Sequence, residues 1–201
     1  MNRSLMSVFL VPVAAVSLAG CGVNSIPTAE ENAKAKWADV QAAYQRRANL
    51  IPNLVSTVRG AAASEERILT RVTEARASAT QITLTGDQLS DPAAMQRFAE
   101  AQSRLSAAII PLQRMQEAYP QLQSQANFGT LMQQLESTEN RINITIRDYN
   151  AAVQAYNTEI RTFPSVIGAK VFYGAEPMAT YPATAPNADV APEVNFDQNT
   201  Q

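Results

Sequence analysis

Histidine is absent from this chain of 201 residues, and cysteine occurs once, at Cys21. Without histidine the chain lacks the usual general base, the commonest zinc ligand and the middle member of a nucleophilic triad. A lone cysteine excludes an intramolecular disulfide and any multi-cysteine metal centre. Glycine is scarce at 7 residues, and aromatics make up only 6%. Basic residues are not in excess either, since 16 Lys and Arg face 18 Asp and Glu for a net charge of −2. A nucleic-acid binder needs a basic surface to displace counterions, so that class is set aside.

What is present favours helix. Apolar residues reach 46%, many of them alanine, and glutamine, glutamate and arginine are abundant. These side chains lose little freedom on entering a helix. The length suits one ordinary domain with chain to spare at its ends.

The N-terminus reads as an address. Arg3 supplies a positive start, and Leu5 to Leu18 form an apolar run too short to cross a bilayer comfortably. Leu18-Ala19-Gly20-Cys21 then resembles a bacterial lipobox, with small residues before the cleaved bond and a thiol to carry lipid. Residues 1–20 are therefore expected to be a lipoprotein signal peptide, Cys21 the lipidated first residue, and 21–27 a tether. Gly22 stands where many inner-membrane lipoproteins carry Asp, and by resemblance to Gram-negative lipoproteins this favours the outer membrane, facing the periplasm.

Beyond the tether, Thr28 is the expected N-cap, with Glu30 and Glu31 in the first turn. Trp37, Val40, Tyr44, Ile51, Leu54 and Val58 recur at threes, fours and sevens, and Leu69, Val72, Ala75 and Ala79 resume the stripe. Pro52 and Gly60 interrupt it. Either one long helix kinks at Pro52 or two helices meet near Gly60, and the lack of a turn cluster between Arg59 and Glu65 favours one. Asp91-Pro92 opens a second helix through Met95, Phe98, Leu105, Ile109 and Leu112, which ends by Tyr119-Pro120. Asn127 caps a third, striped by Phe128, Leu131, Leu135, Thr138, Ile142, Tyr149, Tyr156 and Phe163. Ser165 to Tyr173 reads as a short C-terminal helix. The fold class is all-α: an up-and-down antiparallel helical bundle of three long helices, the first kinked at Pro52, over residues 28–174. Residues 175–201, rich in proline and with four acids and no Lys or Arg, read as a flexible tail in which Val194-Asn195-Phe196 is the only candidate for docking.

Two blocks carry a family resemblance. Tyr44-Gln45-Arg46-Arg47-Ala48-Asn49-Leu50-Ile51-Pro52-Asn53-Leu54-Val55 is followed by Val72-Thr73-Glu74-Ala75-Arg76. The second runs from Tyr119-Pro120-Gln121-Leu122 through Asn127-Phe128, Leu135-Glu136 and Thr138-Glu139-Asn140-Arg141-Ile142 to Arg147-Asp148-Tyr149-Asn150, Tyr156-Asn157 and Phe163-Pro164. Over roughly residues 24–175 the chain resembles the LemA family, in its lipoprotein branch. The pattern is departed from at Asn49, at Ser64-Glu65 and at Ile110-Pro111-Leu112-Gln113-Arg114-Met115, where a kink is expected. The resemblance implies a helical bundle outside the cytoplasm and names no biochemical role.

The most family-like polar residues, Arg46, Arg47, Glu139, Arg147 and Asp148, are the candidate site, either as an interhelical network or as a partner-docking patch. With the first segment as one helix, helices one and three run parallel, and Arg46 lies level with Asn143 to Asp148. Glu136, Glu139 and Asp148 invite a metal reading, but carboxylate-bridged bundles use Glu-x-x-His pairs, so no metal is expected. No cofactor is expected beyond the covalent lipid on Cys21. Tyr44, Tyr149 and Tyr156 sit at heptad spacing and read as core before they read as proton donors. A non-catalytic interaction module on the membrane, with a protein partner or self-association, is the leading expectation. The alternatives are an oligomeric scaffold of the envelope and, behind it, an enzyme acting on envelope polymers.

Overall fold

Apolar stripes on separate helices can leave water only by facing one another, and here four long helices satisfy that demand. The computed structural model describes residues 24–119, 122 and 126–182. The signal segment, Cys21 and the chain beyond residue 182 lie outside the described residues. Helix α1 spans Ser25–Ala61, α2 Glu66–Gln81, α3 Pro92–Ala118 and α4 Ala126–Glu159. A one-turn α5, Ser165–Gly168, widens into a π turn over Ala169–Tyr173. Contacts fix the path. Arg76 Nε on α2 donates to the Ala48 carbonyl on α1, and Trp37 Nε1 donates to Leu84 just past α2, so α2 runs back along α1. Tyr119 past α3 bonds Glu65, and Ser25 at the start of α1 bonds Glu159 at the end of α4. The bundle therefore goes up, down, up, down, with α4 antiparallel to α1.

This corrects the expected count of three long helices. The first apolar segment is two helices, broken at Ala62 and a 3-10 turn over Ala63–Glu65. Alanine favours helix over glycine by only about 1 kcal/mol. Folding back buries Val58, Leu69, Val72 and Ala79 in one cluster, at about 1.5–3 kcal/mol for each large side chain. Burial wins, although no turn residue announces it. Pro52 and Pro111, by contrast, sit inside continuous helices. Each removes one backbone bond at a cost near 3 kcal/mol, which buried neighbours such as Ile51, Leu54, Ile109 and Leu112 offset.

The start of α1 also differs from expectation. Ser25 opens the helix, Pro27 is accommodated in its first turn, and Thr28 donates its hydroxyl to the Asn24 carbonyl instead of capping. Starting early carries Ile26 into the core, where it is fully buried. Glu30 and Glu31 consequently lie past the first turn and pair with Lys34. Asp91 does cap α3, its carboxylate accepting from the Ala93 N–H at 2.8 Å. Phe163, placed on the α4 stripe, lies beyond the end of that helix and is 80% exposed.

The largest correction concerns residues 175–182, expected as the start of a free tail. They form an extended strap lying along α4. Asn157 donates to the Met178 carbonyl and accepts from the Met178 N–H. Asn150 does the same for Tyr181. One turn-pair apart on the same face, Tyr149 and Tyr156 donate to the carbonyls of Ala179 and Glu176. A side-chain amide offers the same donor and acceptor as a peptide, so these asparagines replace a neighbouring strand. Met178 and Tyr181 then fill the core beside Trp37 and Phe98. Composition failed as a guide because it counts apolar area and ignores prepared backbone partners.

Two outcomes follow for the strap end of the molecule. Tyr181→Ala should cost about 3–5 kcal/mol, as other buried aromatics do, and Asn157→Ala about 1–3, since it strands two backbone groups. Thermal unfolding followed by circular dichroism checks both, and wild-type melting of either variant would remove the strap from the folded core. At the bundle's base, hydrogen bonds from Ser165 and then Ser25 hold the Glu159 carboxyl below the usual carboxylate range. A depressed carboxyl stabilises the fold above its unfolded value and loses that contribution as pH falls through the folded one. A carboxyl-resolved NMR titration of Ser165→Ala should show the Glu159 midpoint rising toward the ordinary range.

Candidate functional site

Arg47 is the only charged side chain among the described residues that the fold buries, at 2% exposure. It projects from the middle of α1 between α3 and α4. One terminal nitrogen donates to Ser106 Oγ at 2.7 Å and to Glu139 Oε2 at 3.1 Å. The other donates to the Gln102 carbonyl and side-chain oxygen at 3.2 and 3.0 Å. Nε is buried with no acceptor in reach. The guanidinium also lies over the Tyr44 ring, 5.0 Å from its centroid, where the ring quadrupole favours a cation. Gln102 in turn donates to the Ala79 carbonyl at 3.1 Å. A single polar node thus touches α1, α2, α3 and α4.

Tyr44 links this node to the strap. Its hydroxyl lies 2.6 Å from the Tyr181 hydroxyl, and the two rings stack at 6.3 Å. Burial first, and then Tyr181, push the Tyr44 phenol far above its ordinary range, so it stays protonated as a hydrogen-bonding group. Desolvation likewise raises Tyr149. None of these phenols is poised to exchange protons near neutrality.

Helices α1 and α4 pack closely along their length, as do α2 and α3, whereas α3 and α4 approach each other less closely. Two adjoining clefts open there, of about 470 and 290 Å³, and Arg47, Ser106 and Glu139 line both. Their walls carry Ile110, Gln113, Glu136 and Asn143. Glu139 keeps half its side chain in water while it holds Arg47. The result is a groove with a cationic floor, an acidic and amide rim, and apolar walls. It can orient a polar group of a ligand by hydrogen bonding. A larger cleft of about 710 Å³ lies against the link between α2 and α3, lined by Trp37, Leu84 and Phe98.

Of the five polar residues singled out from sequence, the structure brings together two, Arg47 and Glu139. Arg46 projects from another face of α1, into a separate cleft with Asp39 and Arg141. Arg147 and Asp148 are exposed, and Arg147 Nε bonds the Asn143 carbonyl of its own helix. The expected meeting of Arg46 with that stretch fails because α1 and α4 are antiparallel, which brings Glu139 to the level of Arg47. Gln102 and Ser106 were missed. Their signal was present: Gln102 falls on the apolar stripe between Phe98 and Leu105, and a polar residue there demands a partner. Among the described residues no acidic cluster is arranged to hold a metal ion.

Removing one side of the node should separate its members. Arg47→Ala should cost about 3–5 kcal/mol and Glu139→Ala about 1–3, because the exposed carboxylate is only one of several acceptors. Asp148→Ala should stay within about 0.5 kcal/mol of the parent. Urea unfolding ranks the three, and an Asp148 effect equal to that of Glu139 contradicts this assignment.

Comparison with known proteins finds relatives by sequence. Magnetosome proteins MamQ 1 and MamQ 2 of Paramagnetospirillum magneticum strain AMB-1 are each 28% identical over 157 residues. MamQ of Magnetospirillum gryphiswaldense strain MSR-1 is 27% identical over 157 residues. These matches cover 70% of this chain but only 58% of each relative. The LemA family pattern matches residues 36–196, which takes in α1 from Lys36 onward, all of α2, α3 and α4, and the strap. With most of its length matched, this chain belongs to the LemA family.

Proposed function

We propose that the protein is a lipid-anchored envelope protein whose bundle is a non-catalytic interaction module, docking a protein partner in the groove between α3 and α4. The observation that carries this reading is the groove itself. A four-helix bundle gains by closing its seams, yet this one holds α3 and α4 apart over a buried arginine. Exposed Ile110 beside Gln113 and Glu136 provides the mixed apolar and polar wall that protein interfaces use. The phenols buried nearby are raised out of the range where an acid or base works at neutral pH, which weighs against an enzyme. Lipidation of Cys21 rests on Leu18-Ala19-Gly20-Cys21, and placement at the outer membrane facing the periplasm rests on Gly22. Among the described residues no helix is long and apolar enough to cross a membrane.

A photo-crosslinking amino acid at position 113, inside the groove, should capture a defined protein in living cells, and Glu139→Lys should abolish that product. The same probe at exposed Glu74 on α2 should not give it. Equal capture from both positions sinks the groove as a docking site. A product of twice the processed protein's mass from position 113 points to self-assembly, the scaffold reading, instead. Cys21→Ser should leave the precursor uncleaved and unlabelled by fatty acid, and normal labelling refutes the anchor.

A further inference from the structure

Five of the large apolar side chains that the described residues leave exposed belong to one short stretch at one end of the bundle. They are Phe163 at 80%, Ile167 at 54%, Val171 at 68%, Phe172 at 71% and Tyr173 at 43%. The stretch has reversed polarity. Its small residues, Ser165, Gly168 and Ala169, are turned inward and buried, while its large apolar ones face out. Burial of core cannot account for that choice, since large side chains inside would remove more apolar area from water. Residues 160–174 also carry two cations, Arg161 and Lys170, both exposed, and no acid.

The position of this end is informative. Ser25, the first residue of α1, and Ser165 both donate to the same Glu159 oxygen. The apolar stretch therefore lies beside the start of α1. Cys21 is four residues earlier, which is at most about 14 Å of extended chain. An acyl anchor at Cys21 delivers this end of the bundle to the bilayer before any other part.

We propose that the end formed by Phe163, Ile167, Val171, Phe172 and Tyr173 seats in the boundary between headgroups and acyl chains of the membrane that holds the protein. Arg161 and Lys170 meet anionic headgroups there. The proposal rests on the reading that the chain is anchored at its N-terminal end. Apolar side chains flanked by cations are what an interfacial segment needs, and such segments bury their apolar face about 5–10 Å below the headgroup level. Two points of attachment, lipid and apolar end, hold the bundle upright where a lipid alone leaves it free to tumble. Arg47 lies 22 residues along α1 from Ser25, so the groove stands about 33 Å above the base.

The test uses the full-length protein purified from its membrane and reconstituted into vesicles of phosphatidylethanolamine and phosphatidylglycerol. Intact mass and flotation report the anchor. A genetically encoded, environment-sensitive fluorescent amino acid at position 172 reports the apolar end. The same amino acid at position 60, in open space at the opposite end of α1, is the control. In floating vesicles the emission at position 172 should shift to the blue and be quenched by lipids carrying a shallow quencher. Emission at position 60 should stay water-like. Water-like emission at position 172 in protein whose mass shows the lipid overturns the proposal and leaves the anchor standing. A blue shift without lipid quenching, together with a dimer by light scattering, overturns it in favour of a second copy covering the patch. If the mass shows no lipid and the chain floats through residues 5–18, the anchor reading fails while the two probes still decide the contact.

Discussion

A guanidinium removed from water must recover its hydrogen bonds from the protein, and the position of nearly every helix here is bound by that requirement. Arg47 on α1 recovers them from Gln102 and Ser106 on α3 and from Glu139 on α4, while Gln102 reaches on to the α2 backbone. Apolar stripes alone tolerate sliding by a turn, because one leucine packs much like the next. A fork of donors with fixed geometry does not, and slipping any helix by one turn strands a buried charge. The node therefore sets register where the core sets only adjacency.

The strap extends that logic beyond the helices. Its residues cannot pay for their own ordering from apolar area, so α4 presents Tyr149-Asn150 and Tyr156-Asn157, repeated seven apart, as ready partners for an extended backbone. Tyr181 then meets Tyr44, whose ring supports Arg47. Strap, aromatic core and polar node form one connected set of contacts. The two halves of the core divide along the same line, with the strap joining the cluster around Trp37 and Phe98, and α2 joining the cluster around Leu69 and Leu105.

The bundle is consequently polarised along its axis. One end gathers Ser25, Glu159 and an outward-facing apolar turn, whereas the middle opens a groove above Arg47. Both features depart from what compactness alone favours, one by exposing large apolar groups and the other by leaving a seam open. Departures of that kind concentrate where a protein meets something other than itself.

Several elements were determined by the sequence alone. The periods of Trp37 to Val58 and of Phe128 to Tyr156 require helices with one apolar face, and Asp91-Pro92 marks the start of α3, because spacing and capping act within a few residues. Only tertiary structure decided that the first stripe is broken after Ala61, since the gain comes from a partner helix that local propensity cannot register. It also decided which acid meets Arg47: an extra reversal makes α4 antiparallel to α1 and brings Glu139, not Asp148, to its level. The strap was invisible for the same reason. Its stability resides in asparagine and tyrosine side chains some 20 to 30 residues earlier in the chain, and composition within a window cannot count partners that lie outside it.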